Sequence, residues 1–209
     1  MTDDALPLEP SRSAEAVQVL IDSFAREAFW NYVLQGAIEP DRRVLPVYRM
    51  MVRYCLEYGH GSALEAPDQA GLAAVALWLP GDRADPSFWN ELRLGGLSIL
   101  AALGPGTVVR LMTVSGAMAR IHEQLIPVPH AYLWALGVVP SHQGQGLGGR
   151  LLQAGLRRLD DEQTAAYLET HEPRNVPLYE RSGFAVSDVR RVHGGLKQWS
   201  MIRAPGGAR

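Results

Sequence analysis

The residues best suited to chemistry are the glycines of the segment QGQGLGG, at positions 143–149. A strand-like apolar pattern precedes this segment, and a leucine-rich helical pattern follows it. The first turn of a helix carries unpaired N–H groups and a partial positive charge, and glycine lets an anion come close to them. The segment therefore predicts a phosphate-binding loop. The structural alternative is a tight turn that packs a helix closely against a sheet.

Two known phosphate motifs fit this segment poorly. A P-loop needs Lys and then Ser or Thr after its last glycine, whereas an arginine and a leucine follow Gly149, which excludes this motif. The dinucleotide fingerprint G-x-G-x-x-G is present at 144–149, and Glu169 lies near the ~20-residue distance of a ribose-binding carboxylate. However, Pro140 and the next three residues separate the glycines from the strand, and no repeated βαβ pattern precedes them. Dinucleotide binding therefore stays a minor alternative.

The third motif is Gln-x-x-Gly-x-Gly, and a second pattern follows it downstream. The first pattern lies at Gln143, Gly146 and Gly148, and the second, Asn…Tyr-x-x-x-Gly-Phe, lies at Asn175, Tyr179, Gly183 and Phe184. With these patterns, residues 130–190 resemble the GNAT N-acetyltransferase superfamily, whose acyl-CoA signature is Gln/Arg-x-x-Gly-x-Gly/Ala. Upstream, the WLPG of residues 78–81 and the helical segment 86–125 resemble the branch that contains puromycin N-acetyltransferase.

The resemblance implies acetyl-CoA as the cofactor. Backbone N–H groups of 143–149 would bind its pyrophosphate, and the preceding strand would splay from its neighbour so that the pantetheine arm lies along 136–138. Gly137 in that strand indicates either a close backbone approach or a packing accommodation. The residues that the resemblance assigns to the cofactor are Leu136, Gly137, Val138, Val139, Gln143, Gly144, Gln145, Gly146, Leu147, Gly148, Gly149, Asn175 and Tyr179.

The resemblance also implies direct transfer of the acetyl group to an amine. A backbone N–H near Val138 would stabilise the oxyanion, and Tyr179 would protonate the departing thiolate. An ordinary tyrosine pKa near 10 suits a thiolate leaving group. The structural alternatives are a core position for Tyr179, at helical spacing from Val176, and a helix N-cap for Asn175.

An ammonium acceptor must lose a proton before its nitrogen can attack a thioester. Glu169 and His171 lie where the predicted strand YLET ends, beside the expected reaction centre, so each is a candidate base acting through water. Glu169 could instead form a structural ion pair, and His171 could simply be exposed. Glu65 and Glu172 are further candidates for the base.

Aromatic residues are the candidates for the acceptor pocket. Those that could enclose an amine are Trp30, Tyr32, Trp78 and Trp134. The alternative is that they are ordinary core and rim residues. We expect a small-molecule amine, because the helical segment 86–125 would close the groove that a protein substrate needs. Two other functions stay open, namely acetylation of a protein or peptide and non-catalytic binding or sensing of acyl-CoA.

Hydrophobic periodicity places these residues on strands and helices of one α/β domain. Apolar runs predict strands at 62–65, 72–79, 131–139, 165–170, 184–189 and 198–202. Helical spacing predicts a first helix capped by Ser11 or Ser13, a second helix over 47–58, a helix after the glycine loop and a short helix within 174–183. Residues 86–125 are predicted to form a helical insert. The resemblance specifies a mixed, mostly antiparallel central sheet flanked by helices, with the insert before the central strand. We expect 1–10 and 204–209 to be flexible.

Composition limits the class of protein. The chain has 209 residues, 47% of them hydrophobic and 20% charged, with a formal net charge of −2. This balance gives no electrostatic basis for binding nucleic acid. Cys55 has no cysteine partner, and the six histidines lack metal-ligand spacing, so we expect neither a disulfide nor a metal. The single cysteine indicates a reducing cytoplasm, and the acidic start and the lack of a long apolar run predict neither a signal peptide nor a membrane span. An edge strand near the C-terminus would allow two subunits to pair, so a homodimer is one possible assembly.

Overall fold

A single seven-stranded sheet organises the chain in the computed structural model, which describes residues 5–35, 40–67, 71–86 and 88–206. The strand order is β1-β2-β3-β4-β5-β7-β6. The strands are β1 (Leu6–Pro7), β2 (His60–Glu65), β3 (Leu72–Pro80), β4 (His130–Val138), β5 (Ala165–Thr170), β6 (Ala185–Arg191) and β7 (Lys197–Arg203).

Five of the strand pairs are antiparallel, and β4 with β5 is the one parallel pair among the described residues. This arrangement confirms the predicted mixed, mostly antiparallel sheet. It also removes the dinucleotide alternative, because that fold requires two parallel βαβ halves. The parallel pair is joined by a helix that starts at the glycine loop, as a parallel connection requires.

Eight α-helices cover the sheet in the described part of the chain. They are α1 (Ser13–Phe24), α2 (Ala28–Val33), α3 (Pro40–Tyr58), α4 (Phe88–Glu91), α5 (Leu97–Leu103), α6 (Pro105–Leu125), α7 (Leu147–Asp161) and α8 (Val176–Arg181). No described helix is long and apolar enough to cross a membrane. The segment 92–96 links α4 to α5 as a wider helical turn that ends at a kink, so the predicted insert is helical and precedes the central strand β4.

The sheet separates two apolar clusters. One cluster joins the sheet to α1, α3 and the insert, and the other joins it to α7 and α8. The second cluster follows from the sequence pattern, because the leucines of α7 repeat at helical spacing and lie buried on one side (Leu147, Leu151, Leu152, Leu156 and Leu159). Strand β3 is buried along almost its whole length because both clusters cover it.

The ends of the chain include one element that sequence patterns missed. Within the segment that we expected to be flexible, Leu6–Pro7 pairs with β2 at Ala63 and Ser62. Residues 1–4 and 207–209 lie outside the described residues. The organisation as one domain and the flexibility of 204–209 remain predictions.

Candidate active site

Strands β4 and β5 diverge beside the glycine loop. They pair only from His130 to Tyr132, whereas β4 stays paired with β3 as far as Val138. The Val139 N–H donates to the Ala73 carbonyl at 2.9 Å. Because peptide groups alternate in direction along a strand, those of Leu136 and Val138 face the side that β5 has left. The result is a wedge between the strands, with backbone polar groups along one wall.

Gln143 ties the glycine loop to this wall. Its side-chain Nε2 donates to the Val138 carbonyl at 2.9 Å. In the loop that follows, Gly144 and Gly146 have φ angles of 79° and 81°, which residues other than glycine rarely adopt. A Cβ on either residue would meet nothing within 4 Å, so backbone conformation and not space requires glycine there.

The loop ends as an uncapped helix start. Gly146 is the N-cap of α7 and gives it no side-chain cap, and the first helical bond runs from the Arg150 N–H to the Gly146 carbonyl at 3.0 Å. The N–H groups of the first turn, at Leu147, Gly148 and Gly149, therefore have no partner inside the helix. Such N–H groups suit an anion with several oxygens.

The other glycines of this region allow close packing. A Cβ on Gly148 would lie 3.4 Å from Val138 Cγ2, so the start of α7 lies against the end of β4. A Cβ on Gly137 would lie 2.9 Å from Ser23 Oγ and 3.3 Å from Leu20 Cδ2. Gly137 therefore accommodates α1, which favours the packing explanation for this glycine.

Tyr179 is held on α8 as a buried phenol. Its ring packs edge-on against Phe184 with centroids 6.1 Å apart. Burial raises its pKa well above the ordinary value, and the nearby Glu27 raises it further. The phenol is therefore protonated at neutral pH. Asn175 stands at the N-cap of the same helix, but its side chain makes no capping hydrogen bond, so the N-cap explanation does not account for it.

Glu27 is the site residue that sequence reasoning missed. It directly precedes α2 and lies close enough to Tyr179 to affect its ionisation. Burial raises the pKa of Glu27 to about 7, the Glu172 charge adds to this rise, and Arg174 opposes it. Glu172 in turn accepts the Ala28 N–H at 3.0 Å, which ties the start of α2 to the end of β5. The available sequence signal was a charge just before the aromatic run FWNY.

His171 is buried and not exposed. Its Nδ1 lies 3.0 Å from the Lys197 carbonyl and its ring stacks on Phe29 with centroids 5.6 Å apart. A carbonyl accepts only, so Nδ1 is the donor and Nε2 carries the lone pair. Nε2 is buried without a hydrogen-bond partner among the described residues, and burial lowers the pKa of the imidazole. His171 is thus a neutral acceptor beside α2.

Glu169 lies deeper, under the sheet. Its Oε1 accepts a hydrogen bond from the Tyr132 hydroxyl, and its buried Oε2 has no partner among the described residues. Burial raises the pKa of this carboxyl to about 7. The alternative of a structural ion pair for Glu169 is not realised in the described part of the chain. Glu65 is not part of the site, because it pairs with Arg12 at 2.8 Å at the end of strand β2.

The four aromatic candidates for the acceptor pocket are not brought together. Trp30 is buried, and its indole N–H donates to the Tyr48 hydroxyl at 2.5 Å. Trp78 is 1% exposed and lies in the cluster under α7. Both tryptophans are therefore core residues, which corrects their assignment to the pocket. Trp134 is half-buried and packs edge-on against Tyr54, 5.8 Å between centroids.

Tyr32 connects two distant segments. Its hydroxyl lies 2.5 Å from His193 Nδ1, on the turn between β6 and β7. Helix α2 is thus attached at both ends, to β5 through Glu172 and to this turn through Tyr32. No group of three His, Cys, Asp or Glu side chains in the described ranges has the arrangement of a metal site.

Known proteins share parts of this sequence and most of this fold. The model of the acetyltransferase (GNAT) family matches residues 81–184, about half of the chain. Mycothiol acetyltransferases are 41% identical over 61 residues in Propionibacterium freudenreichii and 33% identical over 63 residues in Corynebacterium aurimucosum. These matches cover 28% and 29% of this chain, and 20% and 21% of the relatives. The chain thus spans about a fifth of the length of the curated relatives it matches.

Solved structures extend the likeness over the whole fold. A Corynebacterium glutamicum protein described as histone acetyltransferase HPA2 and related acetyltransferase has a TM-score of 0.73 and 22% identity, covering 96% of this chain and 95% of its own. Arylalkylamine N-acetyltransferase 2 from Aedes aegypti has a TM-score of 0.68 and 13% identity, covering 96% and 98%. At such identities the likeness concerns the fold. The puromycin N-acetyltransferase branch remains a prediction.

Proposed function

Because this chain belongs to the acetyltransferase (GNAT) family, we propose that it transfers an acetyl group from acetyl-CoA to the primary amine of a small molecule. One observation carries the proposal. The wedge between β4 and β5 opens beside the uncapped start of α7, and buried Tyr179 lies on the helix that follows β5. These features support a donor site at the start of α7, a place for the cofactor arm along β4 and a proton donor on α8.

Two features of the chain fit coenzyme A. The N–H groups at the start of α7 match the oxygens of a diphosphate, and the peptide group of Leu136 matches an amide of an extended pantetheine arm. When bound, acetyl-CoA supplies a thioester, an acetyl group already activated for transfer. Gln143 holds the loop on the Val138 carbonyl, which leaves the Val138 N–H to donate to an acyl oxygen.

Glu27 is proposed as the residue that takes the proton from the acceptor ammonium. Its pKa of about 7 leaves a large fraction ionised at neutral pH, and its neighbour Glu172 adds a second carboxylate that attracts a cation. His171 Nε2 is a neutral acceptor on the same side of α2 and can orient the amine or a water. Glu169 is less suited, because it lies deeper and already accepts from Tyr132.

Tyr179 is proposed as the general acid. Its phenol stays protonated because burial and Glu27 both raise its pKa. It can deliver its proton to a leaving thiolate and recover it afterwards from water. Conversion of an ammonium to an amide removes two protons from the nitrogen. The first would go to Glu27 before attack, and the second, released through water as the carbon–sulfur bond breaks, would replace the proton that Tyr179 gives to the sulfur. The proton on Glu27 would then pass to solvent, so that protons and charges balance.

A small acceptor is favoured over a protein. Helix α2 is fastened to the turn after β6, and α6 packs against the same turn, so this side is enclosed by side chains. Relatives are named for mycothiol and arylalkylamines, both small molecules. Acetylation of a protein or peptide is the second candidate. It is favoured by the similar Corynebacterium glutamicum structure, whose name includes histone acetyltransferase. Homodimerisation and a cytoplasmic location remain predictions.

The test is the release of free thiol from acetyl-CoA in the presence of amines and peptides. We expect turnover with some small amines and none with peptides. Turnover with peptides alone would favour the second candidate. A non-catalytic acyl-CoA sensor would bind acetyl-CoA, as judged by thermal stabilisation, but release no thiol with any acceptor. Stabilisation by NAD and not by CoA would refute the donor site itself.

A further inference from the structure

A cleft of about 350 Å³ lies outside the proposed reaction centre, between α6 and the end of β6. Its walls come from the helical insert on one side and from the β6–β7 hairpin on the other. The lining residues are Thr113, Ala117, Arg120, Ile121, Gln124, Arg190, Arg191, Val192 and His193. Val192 and Ile121 are buried and form an apolar floor.

The rim of this cleft is cationic. Three arginines and a histidine line it, and none of its lining residues is acidic. Arg190 pairs with Asp188 at 2.5 Å and Arg191 donates to the Gly195 carbonyl at 2.9 Å. Arg120 has no hydrogen-bond or ion-pair partner among the described residues. Asp188 neutralises the charge of Arg190, and the other two arginines leave the cleft with an excess of positive charge.

The cleft and the proposed reaction centre lie at opposite ends of α2. His193 in the cleft contacts Tyr32 near the C-terminal end of this helix, while Glu27 and Glu172 adjoin its start. Five residues of helix span about 8 Å at 1.5 Å per residue. A molecule with six or seven bonds between its charged ends covers this length.

A row of polar side chains crosses one face of strands β6, β7 and β5, starting from Arg190 of the cleft. Strand pairing aligns Arg190 with Gln198 and both Asp188 and Glu169 with Ser200, so these side chains share one face. Gln198 is 0% exposed, and its Oε1 has no hydrogen-bond partner in the described part of the chain. A buried oxygen without a donor is costly, so this row suits a ligand that brings hydroxyl or N–H groups.

We propose that this cleft binds the anionic group of the acceptor, so that the acceptor is an amine that also carries a carboxylate or phosphate. The inference rests on the proposed function, because it assigns the two ends of one acceptor. The ammonium lies at the acidic end of α2, near Glu27 and Glu172, and the anion at the basic end, near Arg120, Arg190 and His193. Opposite charges at the two ends select the orientation as well as the class of molecule.

The experiment compares 5-aminopentyl phosphate with 5-aminopentanol, which has the same chain and no charge at the far end. In the wild type we expect kcat/KM to be about tenfold higher for the phosphate at low salt, as for one charge-assisted contact. Arg120→Gln is expected to lower the ratio of the two kcat/KM values about fivefold, and 0.5 M salt to lower it further. Arg53→Gln, an exposed charge change on α3, is the matched control and should leave the ratio as in the wild type.

Equal kcat/KM values for both acceptors, or the same ratio in Arg120→Gln as in the wild type, would overturn the inference. Inhibition by inorganic phosphate tests whether the anion in the cleft is part of the acceptor or a separate ion. Competitive inhibition against the phosphorylated acceptor supports the inference, whereas binding that leaves its KM unchanged would mark a separate anion site and refute it.

A binding measurement separates this inference from the proposed function. If neither acceptor releases thiol, calorimetry still reports whether 5-aminopentyl phosphate binds. If Arg120→Gln weakens this binding and 5-aminopentanol does not bind, the anion site in the cleft is supported and the proposed acetyl transfer is refuted. Absence of binding to the wild type would refute the proposal that the cleft binds an anionic group.

Discussion

Two halves of the molecule are built in different ways. The donor half comprises β4, the glycine loop, α7, β5 and α8, which follow one another over residues 130–184. The acceptor half comprises α1–α3, the helical insert α4–α6 and the β6–β7 hairpin, which come from three separate parts of the chain. Two long-range hydrogen bonds hold α2 of this half in place. Ala28 bonds to Glu172 of the donor half, 144 positions away, and Tyr32 bonds to His193 of the β6–β7 hairpin, 161 positions away.

The donor half and the acceptor half differ in how much their functional groups depend on contacts between distant parts of the chain. In the donor half, the functional groups are backbone N–H groups and a tyrosine set by local turns and helix starts. In the acceptor half, carboxylates and arginines become a site only when distant elements pack together. Substitutions in the donor half should therefore affect acetyl-CoA and the chemical step, while those in the acceptor half should affect the proton and the acceptor.

The largest effect is expected from Tyr179→Phe in the donor half. The variant keeps the ring packed on Phe184 but removes the proton donor, so kcat should fall about 10²- to 10³-fold with little change in the KM for acetyl-CoA. Steady-state kinetics measures both values. Tyr58→Phe, which removes a hydroxyl that accepts a hydrogen bond from Arg93 at the end of α3, is the control. An unchanged kcat would remove Tyr179 from the mechanism.

The next effect belongs to the acceptor half and separates two carboxyls of similar pKa. Burial raises the pKa of both Glu27 and Glu169 to about 7 from an ordinary value of 4.5. A general base works only when ionised, so activity should rise with pH through about 7 and level off above it. Glu27→Gln should lower kcat/KM about 10- to 100-fold and abolish this rise.

Glu169→Gln is the matched control for that prediction. Its Oε1 can still accept from Tyr132, and the acid limb near pH 7 should persist. The measurement is the pH profile of kcat/KM for the two variants and the wild type. If Glu169→Gln loses the acid limb and Glu27→Gln keeps it, the base lies under the sheet and the assignment to the α2 end is wrong.

An intermediate effect is expected from Gly146→Ala in the donor half. With φ at 81°, alanine costs about 1 kcal/mol there and disturbs the N–H groups that follow. We expect the KM for acetyl-CoA to rise about tenfold, in line with one lost charge-assisted contact. Gly116→Ala lies within α6, where a Cβ meets nothing within 4 Å, and should leave this KM unchanged. Equal KM values in the two variants would contradict a backbone anion site at α7.

The smallest effect tests the electrostatics around Glu27. The Glu172 charge raises the pKa of Glu27 and the Arg174 charge lowers it. Glu172→Gln should therefore move the acid limb of the pH profile down, and Arg174→Gln should move it up, each by about 0.3 at low salt. The shifts should shrink at 0.5 M salt. Shifts of the same sign in both variants would show that the limb does not report on Glu27.

Much of the donor half could be predicted from the sequence because its geometry is local. A strand, a glycine turn and a helix start place the N–H groups of 143–149 together whatever packs around them, and helical spacing sets Tyr179 on α8. The divergence of β4 from β5 was implied by the family resemblance and is present in the fold. The packing reason for Gly137, its contact with Ser23 on α1, required the tertiary structure, as did the burial of His171.

The acceptor half was decided by tertiary structure. Periodicity predicted α1, α3, the helical insert and strands β6 and β7 of this half, but it did not predict α2. It also could not place Glu27, a charge at the start of α2, in the vicinity of Tyr179. The residue types left Trp30 and Trp78 as either pocket or core residues, and only the fold decided for the core, because packing against Tyr48 and under α7 buries both. Local spacing determines which atoms neighbour each other along a few turns of chain, whereas burial and the pairing of charges depend on which distant elements the folded core brings into contact.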